Sequence, residues 1–358
     1  MSMKNTKFTG LLTRKKAVRY LIYILFVCVF AVFVIKLNQV EKTELVVRTG
    51  QTFEKAKVVK ILQDNLEENG TRVGEQKVRV RMLTGVRKGE ELDITSSSGY
   101  LFGAACKPGM KVIVMQSVAG DSTVASVYTQ DREGVIYIFA LIYLLVLCLI
   151  GGKQGIKGCL GLVFTFFCVI FVYLPLVYLK YSPFWTAVFV CFITTLVTMY
   201  LIGGPTQKTC AATLGTLVGV ILAGVSAWCF SKASGISGYN VSDIETLMTL
   251  WNTNRIQVGG LLFSGLLISC LGAVMDVAMS ISSAIDEIYS QNLSLSRKEL
   301  FKAGLRVGRD MMGTDSNTLI LAFAGSSVST LLLDYSYNLP YQQIINSNNI
   351  GIAIMQGL

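Results

Sequence analysis

The stretch Val258-Gly-Gly-Leu-Leu-Phe-Ser-Gly-Leu-Leu-Ile-Ser269-Cys-Leu-Gly-Ala-Val-Met-Asp276-Val-Ala-Met-Ser280 decides the fold. It is long enough to cross a hydrocarbon core, which takes about 20 mostly apolar residues as a helix. Its one charged side chain is Asp276. Six more apolar runs share this character, at 20–35, 135–150, 159–179, 184–202, 210–230 and 318–333. The expectation is an α-helical polytopic membrane protein of seven spans. A last apolar piece, 350–358, is too short to cross and is expected to be the start of a truncated eighth.

Composition agrees. Of 358 residues, 52% are hydrophobic and 15% charged, where soluble domains carry about 25% charge. Mean hydropathy is +0.56. Of the 22 acidic residues, 13 lie in 37–133 and 9 in 134–358. The acids and ordinary soluble sequence thus concentrate in one segment. Histidine is absent, which removes His-based general acid–base catalysis and His-ligated zinc. No CxxC spacing occurs among the nine cysteines, so no metal or other cofactor is expected. Eight cysteines fall in or beside apolar runs, where they act as packing residues; Cys106 stands alone in the soluble segment.

The net charge of +10 reads as topology rather than nucleic-acid binding. Lys4, Lys7, Arg14, Lys15, Lys16 and Arg19 precede the first span, with no acid among them. Basic residues beside spans stay on the cytoplasmic side. A cytoplasmic N-terminus then puts Lys153, Lys157 and Lys208 inside. It also puts inside a late basic loop, 281–317, that carries Arg297, Lys298, Lys302, Arg306 and Arg309. The chain divides into a cytoplasmic tail and uncleaved anchor at 1–36, an extracytoplasmic β-rich domain at 37–133, and a membrane domain at 134–358. The localisation is the cell membrane.

In the outer segment, 76–83 alternates strictly, with Lys77, Arg79 and Arg81 on one face and Val78, Val80 and Met82 on the other. This is the period of a half-buried strand. Similar runs at 57–62, 90–94, 111–116 and 123–128, separated by glycines, predict a small all-β barrel of OB or SH3-like type. The basic row reads as a solvated face, with anionic lipid or cell-wall polymer as its alternative ligand.

Two clusters are expensive in a membrane. Ser269, Asp276, Ser280, Ser283 and Glu287 are spaced 7, 4, 3 and 4 and form one helical stripe. An intramembrane acid is a functional candidate, so this stripe, lining a bundle interior or a water path, is the candidate proton or cation path; interhelical hydrogen bonding around a structural acid is its alternative. The second cluster is Asp310, Thr314, Asp315 and Asn317. Residues 313–318 read as the entry to the seventh span, with Thr314, Asp315 or Ser316 as its cap. Gly215 and Gly219 form a helix-packing face. Pro175 should free a carbonyl and kink its helix. Val241, Ile244, Leu247, Met248 and Trp251 recur at helical spacing in a long outer loop.

Several motifs carry a resemblance. They are Gly151-Gly-Lys-Gln-Gly-Ile-Lys-Gly158, the run Gly265 to Ile288 around Asp276, and Gly308-Arg-Asp310-Met-Met-Gly313-Thr-Asp-Ser-Asn317-Thr-Leu-Ile-Leu-Ala322. They resemble the YibE/F family of bacterial multi-pass membrane proteins. The resemblance implies one further C-terminal span and supplies no substrate. No nucleophile–base pair is recognisable, so no enzyme activity is expected. The leading expectation is a transporter or permease component. A membrane-embedded sensor or assembly partner, binding through its outer β-domain, is the alternative. Expected partners are the lipid bilayer and either a second YibE/F-like membrane protein or another copy of the chain.

Overall fold

The structure is a computed structural model that describes residues 25, 27–40, 50–68, 70–97, 103–119, 122–239 and 244–357. The chain forms two compact units, Glu44–Val146 and Met1–Thr43 with Leu147–Leu358.

Five strands close the barrel of the first unit: β1 (Gln51–Gln63), β2 (Glu75–Met82), β3 (Glu91–Ser97), β4 (Lys111–Ala119) and β5 (Ser122–Gln130). The order is β1-β2-β3-β5-β4, closed by β1 on β4, with β3 and β5 parallel. β1 outruns its expected length because its first half pairs with β4 and its second half with β2. Register shifts between Val58 and Lys60 and between Ile61 and Gln63 let one strand serve both neighbours. On β2, Gln76, Val78, Val80 and Met82 are buried, as the alternation predicts. They join Ala56, Val58, Val112 and Val114 in the core. Gln76 is fully buried because it clamps a loop: its Oε1 accepts from Cys106 N at 2.8 Å and its Nε2 donates to Cys106 O at 3.2 Å. The basic row is largely neutralised across the sheet. Arg79 forks onto both oxygens of Asp93 at 2.6 and 2.7 Å, and Arg81 meets Glu91 at 2.7 Å. The solvated-face reading fits this pairing better than an anion site.

The second unit is helical. α1, described over Val27–Leu37, is an apolar helix. The rest of the expected first span, and Val241 of the loop helix, lie outside the described residues. α2 (Glu133–Cys168), whose residues up to Val146 belong to the first unit, continues through a π-helical turn, Val169–Tyr173, into α3 (Leu174–Tyr178). There follow α4 (Pro183–Gly203), α5 (Gln207–Ser234), α6 (Ile244–Asn254), α7 (Leu261–Gln291), α8 (Arg297–Ser326), α9 (Val328–Ser336), α10 (Tyr341–Ile345) and α11 (Asn348–Gly357). Local chemistry sets these limits. Pro183 opens α4, and Gly204, at φ 69°, ends it. Thr206 caps α5 by accepting from Thr209 N, and Gly235 closes it in the left-handed conformation.

Among the described residues four helices are long and apolar enough to cross a membrane, or five if α8 and α9, bent by 60°, count as one. Seven spans are not shown. The expected second and third spans form one 46-residue stretch, broken at Gly152 (φ 51°, ψ −128°). The break is sharp. Cys148 Sγ and Cys159 Sγ are 3.6 Å apart, whereas eleven residues of straight helix span about 16 Å. The expected basic loop 281–317 is also helical. α7 runs on to Gln291, and a short turn leads straight into α8. A reciprocal cap starts α8: Ser296 N donates to Glu299 Oε2 at 2.8 Å, and Glu299 N to Ser296 Oγ at 3.3 Å. Residues 313–318 therefore sit inside α8, and no helix starts there; the capping role expected for Thr314, Asp315 or Ser316 is wrong.

α4, α5 and α7 pack together, with Ala187, Val190, Val220, Leu267 and Leu271 in a shared core. Gly219 allows the close contact of α5 with α7, since a Cβ there would lie 2.5 Å from Val274 Cγ1. The core also holds buried threonines: Thr194, Thr195, Thr198, Thr213 and Thr216 each donate to the carbonyl four residues earlier in their own helix. At one end of the unit Lys208 reaches Asp286 at 3.8 Å, and Lys157 donates to Ile202 O at 3.4 Å. At the other end Met355 of α11 is buried with Ala227, Ile236, Leu262 and Leu266.

Candidate functional site

The five-residue stripe does share one side of α7. Asp276 is the middle residue of the helix, with fifteen positions on either side. The side is not where it was expected. Ser269, Asp276, Ser280 and Glu287 are exposed and Ser283 half-buried, so the stripe lies outside the α4–α5–α7 core. Ser269 Oγ donates to Leu266 O at 2.9 Å, and Glu287 accepts from Gln291 at 3.0 Å. These are local bonds that fix no ligand.

The second cluster is divided by α8. Asp310, Thr314 and Asn317 are exposed, and the Thr314 carbonyl accepts from Thr318 Oγ1 at 2.9 Å. Asp315 points the other way. Its Oδ2 is buried without a hydrogen-bond partner. The residue lines an open cavity of about 480 Å³ bounded by Ala211, Gly215 and Gly219 of α5, by Val277 and Ile281 of α7, and by Leu319 of α8. The glycines that bring α5 onto α7 thus also form a wall of this cavity.

Asp276 and Asp315, one from each cluster, come into electrostatic contact across α7 and α8. The buried, unpartnered oxygen of Asp315 is costly unless a cation or a proton compensates it. Sequence reasoning kept them apart because Asp315 was read as a cap. The Ser296-x-x-Glu299 pattern, a helix start well upstream, is the signal that could have placed Asp315 mid-helix. Among the described residues no cluster of three or more His, Cys, Asp or Glu side chains could hold a metal ion.

The model of the YibE/F-like protein family matches residues 139–358. The chain belongs to the YibE/F-like family. The match covers the whole of α4 to α11, and so both acids of the YibE/F-like helical unit. The barrel lies outside it. No curated protein matches the chain, and no solved structure does.

Proposed function

We propose that this YibE/F-like protein is a component of a membrane transporter in which Asp276 and Asp315 together hold a proton or a small cation. The observation that carries the reading is the buried, unpartnered Oδ2 of Asp315, facing a cavity and in electrostatic contact with Asp276. Intramembrane carboxylates that need compensation are typical of ion and proton pathways. The surface supports a bilayer around the helices. Ile138, Leu141, Leu145, Leu149 and Phe166 expose most of their area, which water would not tolerate over such a length. In this reading the N-terminus is cytoplasmic and the barrel extracytoplasmic. The two arms of α2–α3 that meet at Gly152 are separate spans, and α1 and α8–α9 complete the set of seven. The chemistry is transport without catalysis.

The test is a flux measurement on protein reconstituted in liposomes, with pH-sensitive and cation-sensitive dyes. Asp276→Asn and Asp315→Asn should each abolish flux while leaving the reconstituted amount unchanged. Flux equal to wild type in both variants refutes the reading.

The second reading, a sensor or assembly partner acting through the barrel, has its own observation. Phe53 and Tyr128 stack edge to face at 5.1 Å, and both rings are exposed. The strand order with parallel β3 and β5 is that of an OB-type barrel rather than an SH3-like one, and such barrels bind polymers on an outer face. Loss of ligand capture in Phe53→Ala, with flux intact, would favour it.

A further inference from the structure

We propose that Cys148 and Cys159 form an oxidisable dithiol, a modification site at the Gly152 turn. The proposal stands apart from the transport reading. Its basis is geometry. Gly152 takes a backbone conformation (φ 51°, ψ −128°) that side chains resist, and this turns the helix back on itself. Gly155 lets the arms touch: a Cβ there would lie 2.0 Å from the Leu147 carbonyl oxygen. The consequence is an Sγ–Sγ separation of 3.6 Å between two cysteines that are not in a disulfide. Closing to the bonded length of about 2.05 Å brings the two sulfurs together by about 1.5 Å.

Access sets the order of events. Cys148 is half-buried and Cys159 buried, so a small-molecule disulfide of the glutathione class meets Cys148 first. The Cys148 thiolate attacks one sulfur of that disulfide and expels one small thiolate, which takes up a proton. The Cys159 thiolate then attacks Cys148 Sγ in the mixed disulfide, forms the Cys148–Cys159 bond and expels the second small thiolate. In sum, two protein thiols and one small disulfide become one protein disulfide and two small thiols. The product ties the two helical arms across the turn and fixes their angle.

Trypsin provides a direct readout, because Lys153 and Lys157 separate the two cysteines into peptides 133–153 and 158–180. Full-length protein in membrane vesicles is treated with oxidised glutathione, quenched with N-ethylmaleimide, digested and weighed by mass spectrometry. Wild type should give the two peptides linked. Cys168→Ser should do the same, since Cys168 shares the second peptide. Cys159→Ser should stop at glutathione on Cys148, and Cys148→Ser should leave Cys159 to the maleimide. Loss of the linked species in both single variants, with its retention in Cys168→Ser, establishes the site. A wild type that yields only alkylated peptides, or only the mixed disulfide, overturns the proposal whatever the variants do.

Discussion

The side-chain amide of Asn38 donates to the backbone carbonyl of Phe171 at 2.9 Å. In an α-helix that carbonyl would accept from the N–H of residue 175, which is a proline and has none. The helix widens into its π-helical turn over this segment. Asn38 also donates to Val34 O at 2.9 Å, so one amide ends α1 and fills the vacancy left by Pro175. Val34 and Leu37 pack beside it against Cys168 and Val172.

Asn38→Leu should therefore destabilise the detergent-solubilised protein by about 0.5–1.5 kcal/mol, the net worth of an exposed hydrogen bond. Pro175→Ala supplies the missing N–H. Combined with Asn38→Leu it should recover part of the loss, giving a non-additive double-mutant cycle in thermal unfolding. Additive effects would show that the bond matters little.

Gly219→Leu should separate α5 from α7, since even a Cβ meets Val274 at 2.5 Å. A cost of about 1–3 kcal/mol is expected from overpacking, with partial rescue by Val274→Ala. Thermal melts of the two variants, alone and together, measure it. A neutral Gly219→Leu would contradict the close approach.

The barrel should fold by itself. Residues 40–131 should be soluble and β-rich by circular dichroism, because that segment carries its own core. Gln76→Leu should cost about 1–3 kcal/mol by orphaning the Cys106 N–H and carbonyl. A full-strength melt for that variant would argue against the clamp.

Acid should weaken the barrel in a defined way. The Arg79 guanidinium holds the Asp93 carboxyl below its ordinary range, and Arg72 does the same for Asp64. A lowered folded-state value contributes stability above the unfolded value and loses it as pH falls through the folded one. These contributions are present at neutral pH, begin to decline below about pH 4 and are lost as pH falls through the lowered folded-state values. Arg79→Ala should flatten the dependence of Tm on pH in that range, and a profile parallel to wild type would exclude the pair as its source.

Orientation is testable with two exposed positions. In a background without other cysteines, Val86→Cys should react with an impermeant maleimide in intact cells. Asn292→Cys, in the turn between α7 and α8, should react only after permeabilisation. The reverse pattern would invert the topology.

Features that depend on neighbours in the chain were legible in the residues. The alternation in 76–83 gave β2 with its buried face, since a strand must turn alternate side chains inward. The apolar runs at 184–202 and 210–230 gave α4 and α5 to within a few residues, because proline, threonine and glycine mark their ends. The helix at α6 followed from its spacing. Tertiary structure decided the rest. Polar residues at 313–318 read as a helix start, yet nothing local stops α8 from running through them once Ser296 and Glu299 have capped it. The turn at Gly152 lies in a run of glycines that can bend or stay straight, and only the structure shows that the backbone bends there, at φ 51°. Asn38 and Phe171 are 133 positions apart, so no local pattern links them. Asp276 and Asp315 belong to different helices, and each alone reads as an isolated acid on a helix. What brings them together is the packing of α8 on α7, which no periodicity in the chain decides.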